Sequence, residues 1–161
     1  MTLAPQYRFQ TLRSADDEAA FFAQMGPFFA SRNVRRECGG YALNDGPCYR
    51  WLVVQRVDSH RVLGFISVEQ RDGLLRIREG YLRPEARGRG LFRALRDRVL
   101  AQADSEALDC VACVPRASAA LLAPHGFVQR ASRGAWTTLE RKAHAADHRP
   151  GEPGRSPVQG A

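Results

Sequence analysis

The run Tyr81-Leu82-Arg83-Pro84-Glu85-Ala86-Arg87-Gly88-Arg89-Gly90-Leu91-Phe92-Arg93 sets two glycines among arginines, where a strand-like segment gives way to a helix-like one. Glycines there let the backbone curl, so that consecutive N–H groups and a helix N-terminus converge on one point, which is what an anionic phosphate requires. The junction therefore reads as a phosphate cradle, the plainer alternative being a surface turn rich in glycine and arginine. It is not the dinucleotide fingerprint, because Arg93 stands where its third glycine belongs. Nor is there a phosphate loop of the G-x-x-x-x-G-K type: 23 of the 24 basic residues are arginine, and the one lysine, Lys142, follows Arg141. A lysine Schiff base would have to use that single late residue.

Other residues could do chemistry and are weighed against plainer roles. Cys110 and Cys113 have a metal-like spacing, but on an extended strand residues three apart point to opposite faces, so small core cysteines are expected and no metal site. His144 and His148 are too far from Cys113 for a zinc finger. Four cysteines in a chain without a secretory leader read as reduced thiols.

The elements that must position the cradle follow from periodicity. YRFQTL (7–12) alternates as a strand, and Ser14 with Asp16, Asp17 and Glu18 marks a helix start. Phe21, Phe22, Met25, Phe28 and Phe29 have helical spacing, with Gly26-Pro27 expected to break the segment into two short helices. Three antiparallel strands follow at 51–57, 62–70 and 74–82, then a helix from Leu91 carrying Phe92, Leu95 and Val99, and a strand at 108–114. A short helix stopped by Pro124 and a hairpin turning at Arg133-Gly134 complete the order.

The 161 residues, 44% apolar, make one domain expected over 1–142, with a proline-rich, weakly apolar tail at 143–161 expected to be disordered. No apolar run approaches the roughly 18 residues of a membrane span, so a soluble cytoplasmic protein without membrane contact is expected. Of the net charge of +7, five units lie between Arg76 and Arg98, around the cradle, which a polyphosphate ligand explains.

L-R-P-E-A-R-G-R-G-L-F resembles the pyrophosphate-binding pattern Q/R-x-x-G-x-G/A of the GCN5-related N-acetyltransferases (GNAT), carried by Leu82, Pro84, Arg87 and Gly90, with Phe92 departing from the small sixth residue. The element order over residues 5–142 is similar to the family's, as is the helix-to-strand segment ending in Gly126-Phe127. The resemblance implies an α/β (α+β) fold: a mixed, mostly antiparallel sheet of 6–7 strands with about four helices, splayed between the strands at 74–82 and 108–114. It implies acetyl-CoA (acyl-CoA) as cosubstrate, held by Leu82, Arg83, Arg87, Gly88, Arg89, Gly90, Leu91 and Phe92. It also implies N-acetyl transfer to a primary amine by direct attack, without metal.

For the catalytic side chains the resemblance brings up Glu79 as base, the plainer reading being an ion pair with Arg76 or Arg78. The family's usual acid, a tyrosine, falls on Leu122, so Tyr81 and His125 are the substitutes. The acceptor is open among a small metabolite, a protein or peptide, and a modified nucleobase. Arg32, Arg35 and Arg36 followed by Tyr41, Tyr49 and Trp51 are compatible with nucleic acid, or with a solvated helix face and core aromatics. The competing class is a non-catalytic GNAT-fold module that binds coenzyme A or nucleic acid. Monomer and homodimer are both open.

Overall fold

The computed structural model describes residues 6–144. The tail expected over 143–161 lies outside these residues apart from its first two positions, as do His148 and residues 1–5. Among these residues four α-helices flank one sheet of seven strands: β1 (Tyr7–Leu12), α1 (Glu18–Ala30), α2 (Arg32–Glu37), β2 (Tyr49–Arg56), β3 (Val62–Arg71), β4 (Leu74–Leu82), α3 (Leu91–Ser105), β5 (Asp109–Pro115), α4 (Arg116–Leu122), β6 (Val128–Arg133) and β7 (Trp136–Arg141). The sheet order is β1-β2-β3-β4-β5-β7-β6, antiparallel except between β4 and β5. Mixed α+β architecture and element order match the sequence expectation. Among the described residues no helix is long and apolar enough to cross a membrane.

β2 is buried without a break over residues 51–55, and β3 over residues 62–68, because both faces are covered there. On one face Trp51, Phe65 and Tyr81 pack with Phe21, Met25 and Phe28 of α1 and Val34 of α2. On the other, Leu52, Ile66, Val68 and Leu75 pack with Leu91, Leu95 and Val99 of α3. Fully burying such side chains is worth roughly 1.5–3 kcal/mol each, so this two-sided core fixes which face every strand residue takes.

The helical segment departs from expectation. α1 runs unbroken through Gly26 and Pro27, and the chain breaks at Ser31, whose extended backbone ends α1 while its Oγ accepts the Val34 N–H to start α2. Pro27 removes one helical hydrogen bond, but Phe21, Met25 and Phe28 are all buried against the sheet, and that burial outweighs the lost bond. The N-cap of α1 is Asp17, accepting from Ala20, while Ser14 donates instead to Asp45.

β4 and β5 pair in parallel only from Leu74↔Asp109 to Ile77↔Ala112. Beyond Ile77 the strands part, leaving residues 78–82 of β4 without ladder partners on that edge, and the wedge so formed is the splay that the family resemblance implies. Cys110 is buried on the α3 face and Cys113 exposed on the other, as strand alternation requires. Burial pushes the Cys110 thiol up to about 11. Far from the wedge, Arg141 forks onto Asp104 at 2.8 and 2.9 Å, joining β7 to the end of α3.

Candidate functional site

The cradle forms where β4 hands over to α3. Gly88 and Gly90 have φ of 80° and 74°, in the left-handed region that favours glycine, and an added Cβ at either would meet nothing within 4 Å. Gly90 is the N-cap of α3 and offers no side-chain acceptor, so the first N–H groups of a 15-residue helix stay available to an outside anion. They open onto a cavity of about 370 Å³ lined by Tyr81, Leu82, Arg87, Gly88, Gly90, Leu91, Phe92 and Arg93, and by Glu37 of α2. A phosphorylated ligand fits this donor set.

The arginines divide. Arg87 lies across the cavity, its Nε donating to the Leu82 carbonyl at 2.9 Å and its Nη2 to Glu37 at 2.6 Å. Arg83 is turned away, donating to the Val62 carbonyl and covering the Phe28 ring, which makes it a brace of α1 against the sheet. Arg89 donates to the Tyr7 hydroxyl at 2.7 Å. Phe92 seats its ring on Gly80: a Cβ there would stand 2.6 Å from the ring tip. The bulky sixth residue of the motif is thus matched by a glycine on the strand beneath it.

Glu79 lies at the mouth of the wedge. A bulge lets Arg78 and Glu79 together oppose Ser67. The Ser67 Oγ accepts the Glu79 N–H at 3.1 Å and donates to Oε2 at 3.0 Å. The hydrogen-bond partner of this carboxylate is therefore Ser67, not Arg76 or Arg78. Burial holds the Glu79 carboxyl above the usual carboxylate range, opposed by the Ser67 hydrogen bond and the Arg78 charge. Cys38 stands beside it, its thiol pushed up to about 11 by burial and by the charges of Glu79 and Glu37. Burial likewise raises the Tyr49 phenol, against the charge of Arg78.

Tyr81 lines the cavity, its ring 5.7 Å from the Arg87 guanidinium. His125 does not line it; the His125 carbonyl is held by Arg141, beside Asp104. The aromatics following Arg32, Arg35 and Arg36 divide too: Trp51 and Tyr49 are buried in the core, which leaves only Tyr41 of that set free to stack on a base. Ser67 and Glu37 escaped the sequence reading. A serine in an apolar strand and a glutamate ending a short helix carry no spacing signal; only the bulge and the approach of α2 to the cradle give them roles.

Several solved acyltransferases share this fold. An acyl-CoA N-acyltransferase from Pseudomonas aeruginosa superposes with a TM-score of 0.65 at 18% identity, covering 84% of this chain and 99% of its own. The chain has the GNAT fold. The ribosomal-protein-S18-alanine N-acetyltransferase of Escherichia coli shares it at a TM-score of 0.63 and 13% identity, over 89% of this chain and 97% of its own. So does the PaiA N-acetyltransferase of Thermoplasma acidophilum, solved in complex with coenzyme A, at 0.56 and 14%, over 84% and 98%. No protein-family model matches the sequence, and no curated protein matches it. At these identities the GNAT fold is what the comparisons share with this chain.

Proposed function

We propose that the protein is an N-acetyltransferase that moves an acetyl group from acetyl-CoA to an amine by direct attack in a ternary complex. The observation that carries this reading is the unpaired end of β4, which runs from the phosphate cradle at 87–92 to a half-buried carboxylate at Glu79. The N–H groups of Gly88 to Phe92 would hold the pyrophosphate, with Arg93 at the cavity wall adding charge. The open edge of β4 offers backbone donors and acceptors to the pantetheine arm and to the oxyanion. Acetyl-CoA supplies the activated thioester.

In the transfer the amine nitrogen bonds to the acyl carbon, the carbon–sulfur bond breaks, and the ammonium proton leaves. Glu79 takes that proton, directly or through water, and its raised pKa keeps it basic enough to do so near neutral pH. The departing thiolate takes a proton from Tyr81, which lines the cavity, in preference to His125, which does not. Leu122 at the usual tyrosine position favours a second reading, a module that binds coenzyme A without turnover.

Native mass spectrometry of the isolated protein, followed by incubation with acetyl-CoA and pooled amines, separates the two. The enzyme reading expects one coenzyme A per chain and equal yields of free thiol and acetylated amine. Tight binding without thiol release on any amine favours the module.

A further inference from the structure

We infer that Trp136 is the wall of the acceptor subsite and selects amines carried on a flat, apolar frame, above all aromatic monoamines. This rests on the acetyltransferase reading. The two reactants must reach the wedge from opposite faces of the sheet. Phe92, at the start of α3, packs on Gly80 from the face that carries Ile66. Glu79 belongs to the other face, bonded to Ser67 and neighboured by Cys38 at the end of α2. An amine that gives its proton to Glu79 therefore arrives from the α2 face.

On that face α1 and α2 cover β2, β3 and the Tyr81 end of β4, whereas β5, β7 and β6 present Cys113, Thr138, Trp136 and Val128 half-buried or exposed. The register pairs Trp136 with Pro115, at the far end of β5 on the outer wall of the wedge. Its indole reaches back across the opening: a Cβ built on Gly39 would stand 3.4 Å from Cη2. Gly39 follows Cys38, whose sulfur lies 3.7 Å from the Gly80 carbonyl on the inner wall. The indole thus bridges the wedge just above the Glu79 region, while remaining 40% exposed. Gly39 has a φ of 94°, so the loop requires glycine there, and the missing side chain leaves the indole its room.

Tyr41, 77% exposed, borders the same glycine, 4.0 Å from the built Cβ. Two aromatic rings near a half-buried carboxylate form a site for a flat frame, through ring stacking and apolar burial. Arg76 and Arg78, exposed on β4, add positive charge at its edge and disfavour polyamines.

Trp51, the other tryptophan, is fully buried, so the exposed indole of Trp136 reports on the acceptor site by its emission. With coenzyme A present, 2-phenylethylamine is expected to change the wild-type emission saturably, spermidine much less, and W136F is expected to lose the response. In turnover, W136A should raise the KM for 2-phenylethylamine about tenfold or more, leave the KM for acetyl-CoA within about twofold, and be largely rescued by W136F. Unchanged wild-type emission on 2-phenylethylamine overturns the inference, even if another amine is acetylated. So does an equal rise of both KM values in W136A, the mark of a merely structural residue. Saturable quenching without thiol release from any amine would instead sink the acetyltransferase reading and leave the subsite standing.

Discussion

Ser67 holds Glu79 from both ends, accepting its N–H at 3.1 Å and donating to its carboxylate at 3.0 Å. One hydroxyl thereby pins the bulge of β4 and aims the carboxylate at the wedge. The serine lies on the neighbouring strand, so this carboxylate is positioned by the sheet rather than by its own loop.

Ser67→Ala removes a donor that favours the ionised form of Glu79, so the carboxyl, already raised by burial, moves further up. A base works only when deprotonated, so the acid limb of the kcat/KM profile shifts to higher pH. Tyr49, Glu69, Cys38, Glu37 and Arg78 also surround this carboxylate or its neighbours and are unchanged by the substitution. Glu79→Gln should abolish the limb and lower kcat by about 100-fold or more. An unmoved limb in Ser67→Ala, or turnover within about threefold in Glu79→Gln, would reassign the base.

Gly80→Ala puts a methyl 2.6 and 2.8 Å from the Phe92 ring atoms. Phe92 is partly exposed and can yield, so the cost expected is about 1–2 kcal/mol, towards the lower end of overpacking penalties. Adding Phe92→Ala should recover most of that cost, and the non-additivity read from urea unfolding measures the contact. Additive effects would show that the ring does not depend on the glycine.

Asp104 is the anion for Arg141, whose side chain is 6% exposed. The Arg141 hydrogen bond, with the His144 N–H and the Arg141 charge, holds the Asp104 carboxyl below its usual range. A depressed folded pKa contributes stability above the unfolded value, lost as pH falls through the folded one. Asp104→Asn should therefore destabilise by about 2–3 kcal/mol at neutral pH, less than a fully buried pair because Asp104 is partly exposed, and flatten the acid side of the stability curve. An unchanged acid slope would contradict this.

The order of elements was legible because each carries its own period and turn residues: the strands at 51–57, 62–70 and 74–82, the glycine junction at 88–90, the hairpin at Arg133-Gly134. The boundary within the first helical segment was not, because Gly26-Pro27 is a strong local breaker and its defeat depends on the sheet under Phe21, Met25 and Phe28. The cradle was legible as a local run of sequence. Ser67, Glu37 and Trp136 were not, since each acquires its role from a long-range contact: strand register, the approach of α2, and the reach of an indole across the wedge. Arg83 illustrates the converse, a residue of the motif whose guanidinium the fold turns onto Phe28.

We propose that residues 87–92 bind the pyrophosphate of coenzyme A. Calorimetric titration of wild type and Gly90→Ala with coenzyme A and with pantetheine tests it directly. Gly90 has a φ of 74° and open space around it, so alanine there strains the backbone alone. The free loop relaxes away from that conformation and binding must restore it at about 1–2 kcal/mol, which should weaken coenzyme A roughly tenfold and leave pantetheine unaffected. The wild type is expected to bind one coenzyme A per chain, far more tightly than pantetheine. Equal affinity for the two ligands, or no binding of coenzyme A at millimolar concentration, would contradict it.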